Sequence, residues 1–308
     1  MALRALFDLP APAKINAFLH LVGRRADGYH LIESVFVLID WADTLHVERR
    51  DDGRLQRHDL GAALPADDLC LRAARALQQT SGTPLGADIS IDKRVPWGAG
   101  LGGGSSDAAT TLLALNHLWA LRWPRQRLLS LAAGLGADVP FFVGGRNAFV
   151  QGIGERLTPI VWPASRYEVL KPAAALATPA VFGHPARLVA PAAAILAGSF
   201  ADDQQGLIER IAARQSAWQQ GAGSNHLQPA AEQLCPEVAQ AARLLEARHG
   251  NSRMTGSGSA VFARVPAAAE DGAAGAPLAT GPVGSLPSGW VSRMCRSLDQ
   301  HPLADWAG

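Results

Sequence analysis

The chain has 308 residues, of which 48% are hydrophobic and 18% are charged, and its formal net charge is +1. This composition is that of a folded globular protein of about two domains, and it excludes disordered and collagen-like classes. A net charge so near zero argues against binding of nucleic acid through the overall electrostatic field of the protein. No stretch of apolar residues approaches the roughly 20 that a membrane span requires.

The cysteines and the N-terminus indicate the compartment. Cys70, Cys235 and Cys295 are odd in number, widely spaced and free of a C-x-x-C pattern, so neither a disulfide framework nor a zinc site is expected. Residues 1–12 lack the hydrophobic region of a secretory signal. We therefore expect a cytoplasmic protein without membrane or nucleic-acid partners.

The first 95 residues predict strands and one helix. Apolar, partly β-branched residues predict strands at 15–22 and 34–39, separated by the polar loop 23–29. Apolar residues at helical spacing predict a helix over 69–79, which Gly82 and Pro84 end. A further strand follows at 87–95. The loop between the first two strands is thus a candidate functional loop.

The next part of the chain predicts helices. Glycines at 98–104 lead into a helix over 105–121, and a second helix over 125–135 precedes a helical turn that begins at Asp138 with Pro140. Later helices are predicted near 201–219 and 232–249, and the Ala-, Gly- and Pro-rich stretch 267–289 is expected to be flexible. We predict a domain boundary near residue 161, giving domains 1–160 and 161–308.

The glycine-rich segment predicts a phosphate site. Five glycines within residues 98–104 offer consecutive backbone N–H groups just before a helix N-terminus, which is an anion cradle. Gly98-x-Gly100-x-x-Gly103 also fits the dinucleotide fingerprint, but the acidic strand end expected about 20 residues later is replaced by helix. A Walker loop is excluded because no lysine lies between Gly98 and Asp107.

The segment Pro-x-Gly-Ala-Gly-Leu-Gly-Gly-Gly-Ser-Ser-Asp-Ala-Ala resembles the ATP loop of the GHMP kinase superfamily. The segments at 12–16, 23–30, 135–142 and 255–259 also resemble, in order, those of the kinases that act on 4-diphosphocytidyl-2-C-methyl-D-erythritol. The resemblance runs from about residue 12 to residue 262. It implies an α/β, two-domain GHMP kinase fold, with an N-terminal ATP-binding domain, a C-terminal α/β domain and the active site in the cleft between them. It also implies phosphorylation of a substrate 2-hydroxyl with ATP and Mg²⁺ in the non-mevalonate isoprenoid precursor pathway.

The resemblance assigns roles that the residues alone leave open. Lys14 by itself is a solvated loop lysine, and Asp138 is a helix N-cap; the resemblance makes both catalytic, with Asp138 as cap and base at once. The implied ATP-binding residues are Pro96, Gly98, Ala99, Gly100, Leu101, Gly102, Gly103, Gly104, Ser105 and Ser106. The alternatives for Ser106 are a Mg²⁺ ligand and a helix cap.

The resemblance also implies a site for a cytidine diphosphate sugar-alcohol. Tyr29 and Phe182 are expected to sandwich the cytosine, and His30 to hydrogen-bond its edge. Asn16 and Thr178 match positions near the erythritol hydroxyls. For each of these residues the structural alternative is an ordinary core, strand or turn position.

Two alternatives and several departures accompany this interpretation. Another GHMP kinase, of mevalonate or homoserine type, would lack the pair Tyr29-His30, and a catalytically silent relative would have lost Lys14 or Asp138. Asp68 stands where the family commonly has Asn, and Ala17 replaces the usual Leu. The family's helix near 267–289 is not expected in this Gly- and Pro-rich stretch.

Overall fold

The computed structural model describes residues 3–189, 204–265 and 286–307. Within them the strands are β1 (Ala5–Arg24), β2 (His30–Arg50), β3 (Leu55–Asp59), β4 (Gly86–Asp92), β5 (Ala148–Gly152), β6 (Arg156–Pro159), β7 (Arg166–Lys171), β8 (Arg253–Met254), β9 (Val261–Arg264) and β10 (Val291–Arg296). The helices are α1 (Leu69–Ser81), α2 (Gly103–Leu118), α3 (Arg125–Ala133), α4 (Val139–Gly144), α5 (Thr178–Gly183), α6 (Gln204–Gln219), α7 (Gln228–Leu234) and α8 (Pro236–His249), with a 3₁₀ turn at Ala304–Trp306.

The larger sheet is built around β2, which is antiparallel to β1, β4 and β5. Its order is β3-β4-β2-β5-β6, and β1 pairs with β2 beside this path. The strands predicted at 15–22 and 34–39 lie inside β1 and β2, which are both longer. β1 extends back through Pro10 and Pro12, which it tolerates because among the described strands it pairs with β2 alone and so has a free edge.

Register shifts in β1 flank two of the candidate site residues. They lie between Pro12 and Lys14 and between Asn16 and Phe18, so they bracket the segment from Lys14 to Asn16 on both sides. Between the two shifts the pairing is regular, so Lys14 and Asn16, two residues apart, point to the same face of the strand. The strand itself therefore places the two buried polar side chains together.

Helix α2 is the central helix of the first half of the chain. Almost all of its residues from Ser106 to Leu118 are buried, because it packs against β1, β2, α1 and α4. Burial on all sides is typical of a helix in such an interior position. None of the helices in the described residues is long and apolar enough to cross a membrane.

The second half of the chain builds a four-stranded antiparallel sheet in the order β10-β7-β9-β8. Downstream of β10 the chain returns to the helices of the first half. There Arg125 donates to the carbonyls of Val143, Gly144, Ala304 and Ala307. Two sheets formed by successive halves agree with the mixed α/β fold class, while the boundary at residue 161 stays a prediction.

The later helix predictions need one correction. The helix predicted at 232–249 is wrong as a single helix, because Cys235 is extended, with φ −146°, and α8 begins anew at Pro236. A residue before proline is driven out of the α region, which explains the break. The predicted helix near 201–219 is observed from Gln204, and residues 201–203 lie outside the described residues. The prediction for 267–289 also falls mostly outside them.

Candidate active site

One cleft of about 980 Å³ gathers most of the predicted residues. Its walls come from β1, the loop before β2, the glycine-rich loop, the start of α4, the region of α5 and the turn between β8 and β9. The predicted residues that line it are Lys14, Asn16, Tyr29, His30, Pro96, Gly98, Ala99, Gly100, Leu101, Gly102, Gly103, Gly104, Ser105, Asp138, Thr178 and Phe182. Ser106 is the predicted residue that does not line it.

The glycine-rich loop has the backbone conformation that a phosphate cradle requires. Gly98, Gly100 and Gly102 have φ of 61°, 72° and 72°, a region that other residues rarely adopt. Gly102 is the N-cap of α2, so the loop ends with the free N–H groups of a helix start. The positive end of the helix dipole and these donors together favour an anion at this point.

A second glycine turn, at residues 256–258, closes against this loop. The Ser259 N–H donates to the Gly98 carbonyl at 3.1 Å, and the Ala260 N–H donates to the Ala99 carbonyl at 3.1 Å. A Cβ on Gly100 would overlap the carbonyl oxygen of Thr255. The two backbones are therefore close enough that only glycine fits at this position.

Lys14 and Asp138 form a pair at the bottom of the cleft. The Lys14 ammonium lies 3.6 Å from an Asp138 carboxylate oxygen and 4.5 Å from the centre of the Phe36 ring. Lys14 is 3% exposed, whereas the Asp138 side chain is 29% exposed. Burial lowers the pKa of Lys14, and the nearby Asp138 partly offsets this effect. The pair is thus a buried cation beside a carboxylate that faces the cleft.

One part of the prediction for Asp138 is wrong. Asp138 precedes α4 as predicted, but its φ and ψ of −88° and −14° are helical and its side chain makes no cap hydrogen bond. A capping side chain needs an extended backbone in order to reach the N–H of the second or third helical residue. The carboxylate is consequently free of a capping role.

Asn16 links Lys14 to the second glycine turn. Its side-chain oxygen accepts hydrogen bonds from Lys14 Nζ at 2.7 Å and from the Gly256 N–H at 2.9 Å, and its amide donates to Ser34 Oγ at 2.9 Å. On the same turn, Ser257 Oγ lies 2.8 Å from Thr178 Oγ1. Asn16 therefore fixes the lysine, and Thr178 contacts the residue next to the glycine that Asn16 holds.

The far end of the cleft is aromatic. The rings of His30 and Phe182 have centroids 5.5 Å apart, and Tyr29 is 61% exposed with its side chain at the cleft wall. An exposed aromatic that lines the same cleft as two further rings provides a face on which a planar base can stack. The three residues predicted for the base are thus brought together.

Ser106 does not fit either of its predicted roles. Its hydroxyl donates to the Pro12 carbonyl at 2.6 Å, and the residue is fully buried. It lies in the second turn of α2 and so cannot cap that helix. Because its side chain is turned toward β1 and away from the cleft, the metal-ligand assignment is corrected as well; of the two adjacent serines, Ser105 lines the cleft.

The sequence prediction missed a charged cluster beside the glycine-rich loop. Lys93 bonds to Asp43 and, at 2.5 Å, to Asp107, and both Lys93 and Asp107 line the cleft. Burial raises the pKa of Asp107 well above its usual value, partly offset by Lys93, and Asp107 Oδ1 has no partner among the described residues. Two charged residues on either side of the glycine-rich loop, Lys93 and Asp107, could have indicated this cluster.

Asp68, which departs from the family pattern, also lines the cleft. It is the N-cap of α1, where its side chain accepts the Leu71 N–H at 3.0 Å, and it lies 2.9 Å from Arg57. An Asp at this position is therefore held by a cap bond and an ion pair.

Within the described residues, no three His, Cys, Asp or Glu side chains form a cage for a metal ion. Mg²⁺ at phosphoryl-transfer sites takes one or two protein oxygens together with substrate phosphates and water, so a cage is not required. The Ser105 hydroxyl and the Asp138 carboxylate are hard oxygen donors that line the cleft. The donor set thus fits a phosphate-bound Mg²⁺.

Comparisons with known proteins agree with this geometry. Residues 68–146 match the family model of the GHMP kinase N-terminal domain, and residues 207–277 match that of the C-terminal domain. A crystal structure of homoserine kinase from Cytophaga hutchinsonii aligns over 97% of this chain and 95% of its own, with a TM-score of 0.64. The two sequences are 17% identical, so this match shows the shared fold. Fold, cleft and glycine-rich loop define a GHMP kinase.

More similar relatives narrow the class. The 4-diphosphocytidyl-2-C-methyl-D-erythritol kinase of Methylibium petroleiphilum is 60% identical over 100% of both chains, and that of Verminephrobacter eiseniae is 53% identical over 99% of both. A crystal structure of 4-(cytidine 5'-diphospho)-2C-methyl-D-erythritol kinase is 36% identical, with a TM-score of 0.67, over 83% of this chain and 88% of the other. The chain belongs to the 4-diphosphocytidyl-2-C-methyl-D-erythritol kinase family.

Proposed function

We propose that this chain transfers the γ-phosphoryl group of ATP to the 2-hydroxyl of 4-diphosphocytidyl-2-C-methyl-D-erythritol, in the non-mevalonate pathway to isoprenoid precursors. The observation that carries the proposal is the arrangement of one continuous cleft. The glycine-rich loop, the pair Lys14 and Asp138, and the aromatic end at Tyr29, His30 and Phe182 all line it. A phosphate donor and a cytidine substrate can therefore meet at the catalytic pair.

In the proposed reaction the Asp138 carboxylate accepts the proton of the substrate hydroxyl. The hydroxyl oxygen forms a bond to the γ-phosphorus while the bond from that phosphorus to the bridging oxygen breaks, and ADP leaves. The Lys14 ammonium lies 3.6 Å from Asp138, where it can stabilise the negative charge of the transferring group. The glycine-rich loop holds the remaining phosphates through backbone N–H groups.

Asn16 and Thr178 serve the proposed reaction in different ways. Asn16 is 1% exposed and is bonded to Lys14, so it keeps the ammonium at the reacting centre besides lining the substrate cleft. Thr178 presents its hydroxyl to the cleft next to Ser257, where it can bond an erythritol hydroxyl. Asn16 thus fixes the lysine, and Thr178 orients the substrate.

Mg²⁺ completes the proposed site. Ser105 would hold it together with phosphate oxygens and water, and when bound it neutralises phosphate charge. ATP and a small molecule are the expected partners, and the net charge of +1 supports the absence of nucleic acid from this list. Use of ATP together with three cysteines that are buried and free supports a cytoplasmic location.

A coupled ADP-release assay tests the proposed function. We expect turnover with 4-diphosphocytidyl-2-C-methyl-D-erythritol and MgATP, and none above background with mevalonate or homoserine. Comparable kcat/KM for either control alcohol would contradict the proposal, because neither contains a base for the aromatic end of the cleft.

A further inference from the structure

The His30 imidazole has a partner that can only donate. Arg187 Nε donates to His30 Nε2 at 3.2 Å, and Arg187 Nη1 donates to the His184 carbonyl at 2.8 Å. A guanidinium has five N–H donors and no acceptor, so His30 Nε2 must carry a lone pair. The ring is then neutral and its single proton is on Nδ1.

The surroundings of His30 favour the same state. Two charged groups face it: Arg187 from the segment after α5, and Arg24 from the end of β1. Burial, followed by these two positive charges, lowers the pKa of His30. Within the described residues, Nδ1 of His30 has no hydrogen-bond partner, so its N–H is available to a ligand in the cleft.

A single N–H donor distinguishes the two common pyrimidines. N3 of cytosine is an acceptor, whereas N3 of uracil carries a hydrogen. A site that donates a hydrogen bond to N3 of cytosine would place its N–H against the N3–H of uracil. Two donors would then face each other unpaired, and unpaired polar groups in a closed site are costly. The state of His30 therefore has a direct consequence for the choice of base.

We propose that Arg187 is a positioning residue that holds the proton of His30 on Nδ1, so that His30 donates to N3 of a cytosine base and disfavours uracil. The proposal rests on the proposed function, because it takes the cytidine end of the substrate to lie against His30. Arg187 acts through His30 and has no part in the phosphoryl transfer.

Three substitutions at one position test the proposal. Arg187→Lys keeps a donor, Arg187→Met removes it at similar length, and Arg187→Glu replaces it with an acceptor that draws the proton to Nε2. Arg243→Glu, an exposed position on α8 that does not line the cleft, controls for the change of charge. Thermal melting of each variant, and ATP affinity as a control ligand, verify the fold.

The direct readout is the ring nitrogen shifts of His30 in protein labelled with ¹⁵N-histidine, assigned by their loss in His30→Asn. We expect the Nδ1–H form in the wild type and in Arg187→Lys, a mixture in Arg187→Met, and the Nε2–H form in Arg187→Glu. Removing the Arg187 charge also raises the pKa of His30, and the same nitrogen shifts followed against pH should show this rise in Arg187→Met. An unchanged tautomer in both Arg187→Met and Arg187→Glu would overturn the proposal.

The functional readout is the ratio of the affinities for CDP and UDP, measured by calorimetry. We expect this ratio to fall by at least about tenfold in Arg187→Glu, to fall less in Arg187→Met, and to stay unchanged in Arg187→Lys and Arg243→Glu. If Arg187→Glu does not fold, the methionine variant decides by the same two readouts. A constant ratio would overturn the proposal.

Failure of the proposed function has a different signature. It would appear in the wild type as absent turnover of the cytidine substrate in the ADP-release assay, whatever the variants do. Normal wild-type turnover, together with an unaltered His30 tautomer in the variants, would remove only the role given to Arg187.

Discussion

At the scale of single residues, the Asp138 carboxylate is the group on which the catalytic proposal can be tested. We expect Asp138→Asn to lower kcat by at least about a hundredfold while both substrates still bind, because the proton acceptor is lost and the shape is kept. The helix start should survive, since the Asp138 side chain makes no cap hydrogen bond. ADP release, ATP titration and thermal melting on one sample measure these three quantities.

A matched control for this variant lies in the same cleft. Asp67 lines it as well, but its side chain is 70% exposed and pairs with Arg75 at 2.9 Å. Asp67→Asn should therefore keep kcat within about twofold, as is usual for a surface change. Near-normal turnover in Asp138→Asn would reject Asp138 as the base, because the two variants differ only in where the carboxylate was lost.

Tyr29 provides a second test at this scale. We expect Tyr29→Ala to weaken binding of the cytidine substrate by about 1 to 3 kcal/mol, because one stacking face is lost. KM for this substrate should rise accordingly, while KM for ATP stays the same. Trp97→Ala is the aromatic control: Trp97 is also exposed at the cleft but belongs to the glycine-rich loop. Equal loss of affinity for both substrates in Tyr29→Ala would contradict the assignment.

At the scale of elements, the glycine-rich loop is where a local sequence pattern predicted structure best. A strand, a run of glycines and a helix succeed one another within about 30 residues, so no distant information was needed to predict a cradle. The cluster of Lys93, Asp43 and Asp107 was missed because Asp43, which completes it, lies 50 positions before Lys93 in the chain. The break at Pro236, by contrast, could have been read from proline alone.

The positive φ of Gly102 makes a test of the loop possible. A Cβ there would lie 3.0 Å from the Phe142 ring and 3.3 Å from Lys14 Cε. We expect Gly102→Ala, and more strongly Gly102→Val, to weaken MgATP binding and to lower kcat, because the added atoms displace Lys14 and narrow the cradle. Calorimetry with MgATP on the folded variants measures the effect.

Gly82 controls for backbone strain in that experiment. Its φ is 69° at the end of α1, and a Cβ there would meet nothing within 4 Å. Gly82→Ala should thus reduce thermal stability by the strain alone, with unchanged ATP affinity. If Gly102→Ala behaves like Gly82→Ala, with ordinary ATP affinity, the cradle has been misplaced.

At the scale of the whole molecule, the C-terminal turn could not be predicted. Nothing local in residues 297–307 indicates that they pack on α3 and α4, because the contact depends on Arg125, which is more than 170 positions away in the chain. His301 lies in the same contact: Leu303 N–H donates to its Nδ1 at 3.0 Å, and its Nε2 lies 3.3 Å from Thr110 Oγ1. Long-range packing of this kind leaves no periodic signal in the sequence.

The turn should make the fold sensitive to acid. Burial, helped by the charge of Arg125, lowers the pKa of His301 to about 3, from an ordinary value of 6.5. Between pH 6.5 and pH 3 the unfolded chain binds a proton at His301 that the folded chain does not bind. The free energy of unfolding must therefore fall as pH decreases. The stabilisation is fully present above pH 6.5 and is lost toward pH 3, at up to about 1.4 kcal/mol for each pH unit.

Urea unfolding from pH 7 to pH 4 measures this dependence. His301→Gln cannot protonate, so we expect it to be less stable than the wild type at pH 7, where its packing is poorer, but to lose less stability on acidification. His20, whose pKa burial and its charged neighbours lower to about 4, contributes a second, separate slope that His20→Gln should remove while leaving that of His301 intact. Identical pH dependence in the wild type and in His301→Gln would show that the buried imidazole is not what links this distant turn to the acid stability of the molecule.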